Sequence, residues 1–142
     1  VLGIGCDVRV YDEIEKSLEK VVLEMGTSLV MESPVGDASY WTRPPPKGYV
    51  GGRFRANWQV GIGHIDYTTT TKTDKTGEVA VGELFAKVTE EADPKQVWYL
   101  TNSLPYSQRL ENGWSRQAPQ GMVGITVLRF RQFVSEAVAG LK

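Results

Sequence analysis

The sequence is poor in the residues that build metal and redox sites. It holds one cysteine, Cys6, and one histidine, His64. A single cysteine forms no internal disulfide and supplies no thiolate cage. One histidine argues equally against a histidine-rich metal site. Excess charge is also missing: 16 Lys and Arg stand against 17 Asp and Glu, a net charge of −1. A nucleic-acid-binding domain ordinarily carries a basic surplus, so only local patches remain for that role. There is no run of 18 apolar residues and no signal-peptide pattern, and we expect a chain that folds in a reducing cytoplasm. Phosphate loops are absent as well. Gly61-Ile62-Gly63 and the glycines at 48, 51 and 52 fit neither G-x-G-x-x-G nor G-x-x-x-x-G-K-[ST].

What is present reads as globular. The 142 residues are 41% hydrophobic and 23% charged, which predicts one domain over 1–142 with its own core. Residues 1–10 are short, apolar and glycine-containing, an arm or an edge strand. Ile14, Leu18, Val21, Val22, Met25 and Leu29 then recur on one face of a helix, with Asp7 or Asp12 as its cap. Pro34 stops it near Ser33. Residues 34–52 form a long loop with three consecutive prolines at 44–46. It also carries Tyr40, Trp41 and Tyr49, so it is expected to pack on something rather than float.

Arg53–Trp58 is expected to turn helically into a strand in which Trp58, Val60 and Ile62 alternate. A bulge near Gly63-His64 would carry the alternation on to Ile65 and Tyr67. Val81, Leu84, Phe85 and Val88 mark a second helix over 77–91, ended by Asp93-Pro94. Gln96–Thr101 reads as a strand. A third helix is expected over 121–140, although Ile125 and Val127 would also suit a strand at its start. The order predicts an α+β fold, with helices packed on a small, mainly antiparallel sheet.

The densest stretch is Asn102–Met122, NSLPYSQRLENGWSRQAPQGM. Ser103 and Pro105 suit the start of a short helix, Tyr106 and Leu110 share one face of it, and Gly113 stands where a left-handed terminator belongs. Ala118-Pro119-Gln120-Gly121 suits a type I turn. Glu111 falls in the last turn, where the helix dipole disfavours an anion. Either an arginine offsets this, with Arg53, Arg55 and Arg116 as candidates, or the carboxylate is solvated.

Catalytic readings find little support. Cys6 and His64 could form a nucleophile–base pair, but an apolar arm residue and a bulge histidine explain them more simply. Ser103, Ser107 and Ser115 have no histidine near them in sequence. No pattern points to a carboxylate pair acting on a sugar. Arg53-Phe54-Arg55-Ala56-Asn57-Trp58 superficially suits single-stranded nucleic acid. The favoured alternative makes Phe54 and Trp58 core and pairs the arginines with carboxylates.

An ordered set of motifs carries a resemblance. Pro34–Gly36, Gly52–Trp58, Asn102–Tyr106, Leu110–Gly113 and Ala118–Met122, spread over roughly residues 10–140, resemble the tail-completion or head–tail joining proteins of long-tailed bacteriophages. The insert at 37–50 departs from the shorter family pattern. The resemblance implies a structural virion protein at the head-proximal end of the tail, assembled in the host cytoplasm. It implies a self-contact in a six-fold ring, with the tail tube protein and the head connector or stopper as neighbours. DNA would pass through without specific binding, and no membrane, cofactor, metal or catalytic residue is implied. A tail terminator, an unrelated protein-binding module and a small hydrolase are the competing readings. Candidates for a subunit contact or its support are Trp41, Tyr49, Arg53 and Arg55 in the first half. In the second half they are Tyr106, Glu111, Trp114, Arg116 and Gln117. Trp58 and Tyr106 also read as plain core.

Overall fold

The computed structural model describes residues 2–7, 15–91 and 96–139. Three strands, β1 (Leu2–Asp7), β2 (Gln59–Ile62) and β3 (Val97–Asn102), form an antiparallel sheet in the order β1-β3-β2. The register sets Ile4 and Val60 on either side of Leu100, and Cys6 and Ile62 on either side of Trp98. Trp98 and Leu100, two apart and so on one face, are buried beneath the helices. Those helices are α1 (Glu15–Glu32), α2 (Glu78–Glu91), α3 (Ser107–Glu111), α4 (Val123–Leu128) and α5 (Phe130–Ala139). The fold is α+β, as the pattern of the sequence predicts.

The apolar stripe of α1 explains the packing. Val22, Met25 and Leu29 enter the shared core with Val60, Trp98 and Leu100. Burial of one such side chain contributes about 1.5–3 kcal/mol. Gly26 lies on one flank of α1, where a Cβ would overlap the Leu84 side chain of α2. Ser28 and Glu32 lie on the opposite flank. There the Ser28 and Thr126 hydroxyls share a hydrogen bond of 2.8 Å, and Arg129 pairs with Glu32 at 2.9 Å. Thus α1 lies between α2 and the α4–α5 pair.

Two expectations need correction. The third helix is two helices: the Arg129 amide reaches the Ile125 and Thr126 carbonyls, and a new helix begins at Phe130. The alternation after Gly63 is not a bulged strand. Gly63 takes φ +79° and still donates to Val97 O at 2.7 Å. The chain then folds back so tightly that a Cβ on Gly61 would meet the His64 carbonyl, and Asp66 O accepts from the Thr101 hydroxyl at 3.0 Å. Ile65 and Tyr67 therefore lie outside the sheet. Asp7 is the last residue of β1; the expected cap of α1 lies outside the described residues. Strand β3 separates β1, which carries Cys6, from β2, which leads to His64. Asp12, Ile14 and the Asp93-Pro94 stop lie outside the described residues. Among the described residues, no helix is long and apolar enough to cross a membrane.

Candidate functional site

The site is built from two loops tied to each other. The first begins where β3 ends. Asn102 is fully buried; its amide nitrogen donates to Phe54 O at 2.9 Å and its oxygen accepts from Leu104 N at 3.2 Å. Leu104 O then accepts from Ser107 N at 3.0 Å and starts α3. Asn102, not Ser103, sets the helix entry; the Ser103 hydroxyl is buried and makes no hydrogen bond among the described residues.

The helix stops as its sequence dictates. Gly113 has φ +84°. Its amide donates to Leu110 O at 3.2 Å, and the Trp114 amide donates to Arg109 O at 3.1 Å. These two bonds are the paired closure of a Schellman cap. The Trp114 ring then meets the Arg109 guanidinium, 5.6 Å from the ring centroid, a cation–π contact. The turn at 118–121 closes with Gly121 N on Ala118 O at 3.0 Å.

Glu111 has a partner, but it is not an arginine. Its Oε2 accepts from the amides of Met122 and Val123 at 2.8 and 2.9 Å, and its Oε1 from Gly124 at 2.9 Å. These are the unsatisfied amides at the start of α4. One carboxylate therefore caps the next helix, offsetting its own place in the last turn of α3. Gly121 is required here: it has φ +77°, and a Cβ would collide with the Glu111 carbonyl and carboxyl. Arg53, Arg55 and Arg116 make no pair with Glu111.

The arginines of Arg53–Trp58 also bind backbone rather than carboxylates, which corrects the expected ion pairs. Arg55 donates to Ser33 O at 2.8 Å, to Met31 O at 3.1 Å and to Lys75 O at 2.6 Å. A cation is thereby placed on the last carbonyls of α1. Burial pulls its pKa down, opposed by the nearby Asp74 carboxylate. Arg53 Nε donates to Thr70 O at 3.0 Å. Asn57, fully buried, bridges Arg53 O at 2.6 Å, Thr70 O at 3.1 Å and Thr70 N at 2.7 Å. The Trp58 indole donates to Ser33 Oγ at 2.7 Å. Phe54 is buried and Trp58 half-buried, as the core reading expects. This segment is a joint that fixes three loops and the end of α1.

The second loop, 34–52, is held by the first. Gln117 accepts from Val35 N at 3.0 Å and donates to Val35 O at 2.7 Å, a side chain imitating a strand partner. The Tyr49 hydroxyl lies over Gly36, where a Cβ would meet it. Trp41 packs on Tyr49 with ring centroids 4.7 Å apart. Tyr106 packs on Phe54 at 6.0 Å. Burial pushes the Tyr106 hydroxyl up, nearby Tyr49 adds to this, and Arg53 opposes it. Trp41, Tyr49, Arg53 and Tyr106 thus form one connected surface, and Gln117 ties the loop of Trp114 and Arg116 to it. Trp41, Tyr49, Arg53, Tyr106, Trp114, Arg116 and Gln117 are exposed. Arg55 and Glu111 lie beneath, holding the loops.

This loop face is basic. No acidic residue occurs between Ala38 and Ile65, while Arg43, Lys47 and Arg53 are exposed there. Arg109 and Arg116 add to them from the other loop. The even overall charge hides this; a windowed count of acids finds it. The internal gap between α1, α2 and the sheet, lined by Leu29, Trp58, Leu84 and Leu100, is about 10 Å³, room for about one water. Among the described residues no cluster of His, Cys, Asp and Glu suits a metal. Comparison of the chain with models of known protein families, with curated proteins and with solved structures finds no match.

Proposed function

We propose that the chain is an assembly protein acting through the loop face, specifically a virion protein at the head-proximal end of a phage tail. The observation that carries this reading is Trp114. It is 76% exposed, yet it stands on a Schellman cap, beside a helix N-terminus clamped by Glu111, in a loop tied to its neighbour by Gln117. A large aromatic held rigidly in solvent supplies contact area at little entropic cost, the property of an interface anchor. The surrounding Arg43, Lys47, Arg53, Arg109 and Arg116 suit an acidic neighbouring protein.

In this reading the mechanism has no chemical step. The ordered motifs of the sequence supply the phage assignment: subunits close a ring, and the loop face meets the tail tube protein or the head connector. DNA passes without a specific contact. A terminator that caps tube growth would use the same surface.

Gold-labelled antibody against the chain on purified virions tests the reading. Label confined to the head–tail junction is expected, and its loss from particles made with Trp114→Ala. Label along the tail, or none on intact particles, would contradict the proposal.

A further inference from the structure

The chain has three asparagines, Asn57, Asn102 and Asn112. Two of them are fully buried with both side-chain polar atoms bonded: Asn57 to Arg53 and Thr70, Asn102 to Phe54 and Leu104. Asn112 differs on both counts. It is exposed, and its side chain makes no hydrogen bond among the described residues. It is also the one asparagine followed by glycine.

An asparagine before glycine carries its own reagent. The backbone nitrogen of the next residue gives up its proton and attacks the side-chain carbonyl carbon. A cyclic imide forms, and the side-chain nitrogen leaves as ammonia. Glycine permits this because it has no Cβ to crowd the ring and its backbone turns freely. Water then opens the imide at one of its two carbonyls. Opening at the side-chain carbonyl gives aspartate. Opening at the backbone carbonyl gives isoaspartate, with the main chain now running through the Asn112 Cβ.

The fold holds this reaction back. Asn112 has φ −81° and ψ 14°, which turns the Gly113 nitrogen away from the Asn112 Cβ, whereas ring closure needs the two eclipsed. The Gly113 proton that must leave is donated to Leu110 O at 3.2 Å. The Asn112 amide donates to Gln108 O at 3.0 Å and the Trp114 amide to Arg109 O at 3.1 Å, so the rotation disrupts the cap on both sides. The hold of Glu111 on Met122, Val123 and Gly124 resists the same movement. Attack therefore waits for local opening of the cap.

We infer that Asn112 is a self-modification site gated by the α3 cap, and that its conversion releases the loop of Trp114. Either product places a carboxylate one residue beyond Glu111 at the end of α3, where the helix dipole opposes it. The isoaspartyl link also lengthens the backbone by one methylene immediately before Gly113. The two closing bonds of the cap then no longer fit together, and Trp114 loses its fixed place beside Arg109. A chain that stays closed keeps this rigid aromatic; a chain that opens for long loses it. The chemistry needs no partner and does not depend on the assembly reading.

Incubation of the purified full chain at mildly alkaline pH, folded and in urea, tests the inference. Peptide mass spectrometry and enzymatic methylation of isoaspartate read the product. Asn112 is expected to convert severalfold more slowly in the folded chain than in urea, while Asn57 and Asn102 stay intact in the folded chain. Glu111→Ala should raise the rate severalfold without urea, under conditions where near-ultraviolet circular dichroism shows the variant folded. Gly113→Ala should suppress conversion in urea, where the geometry of the cap plays no part. Hydrogen exchange over residues 110–114 should be faster in the converted chain than in the fresh one. Equal rates in the folded and unfolded chain, an unchanged rate in Glu111→Ala, or earlier conversion of Asn57 or Asn102 in the folded chain would overturn the inference.

Discussion

The Oε2 of Glu111 and the backbone amide of Met122 lie 2.8 Å apart across the turn that separates α3 from α4. With Val123 and Gly124 also donating to this carboxylate, one side chain fixes the path of the whole 112–122 loop. Glu111→Ala should cost about 1–3 kcal/mol in chemical denaturation, the range for losing a helix cap and leaving amides unpaired. Glu111→Gln should cost less, because one amide oxygen still accepts from Met122 and Val123. Equal losses for the two substitutions would mean the amides are satisfied by water instead.

Gly113 should tolerate no branched side chain. Its φ is +84°, and a Cβ would lie 2.5 Å from the Pro119 carbonyl oxygen. Gly113→Val is expected to destabilise by about 1–3 kcal/mol or more from backbone strain. A denaturation midpoint equal to wild type would remove the cap from the account.

Asp74 predicts a pH dependence. Burial alone would raise its pKa, but hydrogen bonds from the Ala80 and Gly77 amides and the Thr76 hydroxyl outweigh this and hold it below the ordinary aspartate range. The folded chain therefore binds this proton less tightly than the unfolded chain. The stabilisation is complete above the ordinary aspartate pKa and is lost as pH falls through the depressed one. Asp74→Ala should cost about 1–2 kcal/mol near neutrality. Asp74→Asn should show a shallower loss of stability with acid than wild type, measured by urea midpoints across the acidic range.

The fold was largely legible because its signals are local. The spacing of Val22, Met25 and Leu29, the alternation about Val60, and Gly113 each specify a conformation through periodicity or sterics. The partner of Glu111 was not legible, because backbone amides leave no mark in the sequence, whereas arginines do. The same blindness turned the carbonyl-binding Arg53 and Arg55 into supposed ion-pair partners. The fold-back after Gly63 was missed because Ile65 and Tyr67 keep a strand-like alternation while the hydrogen bonds go elsewhere. The acid-free stretch of the basic loop face is legible in the sequence, but only tertiary structure joins residues 43–53 with 109–116.

Trp114 separates interface from fold. With only the exposed Arg109 contact to lose, Trp114→Ala should change stability by no more than about 1 kcal/mol. Virion assembly by a strain carrying it should nevertheless fall sharply in complementation assays. Loss of folding in the isolated variant, read by near-ultraviolet circular dichroism, would make Trp114 a structural residue instead.

Electron microscopy of lysates from a phage lacking this gene tests the central claim most directly. The account predicts filled heads beside unattached tails of normal length. Overlong tails would move the chain to the terminator role, and intact infectious particles would contradict the account.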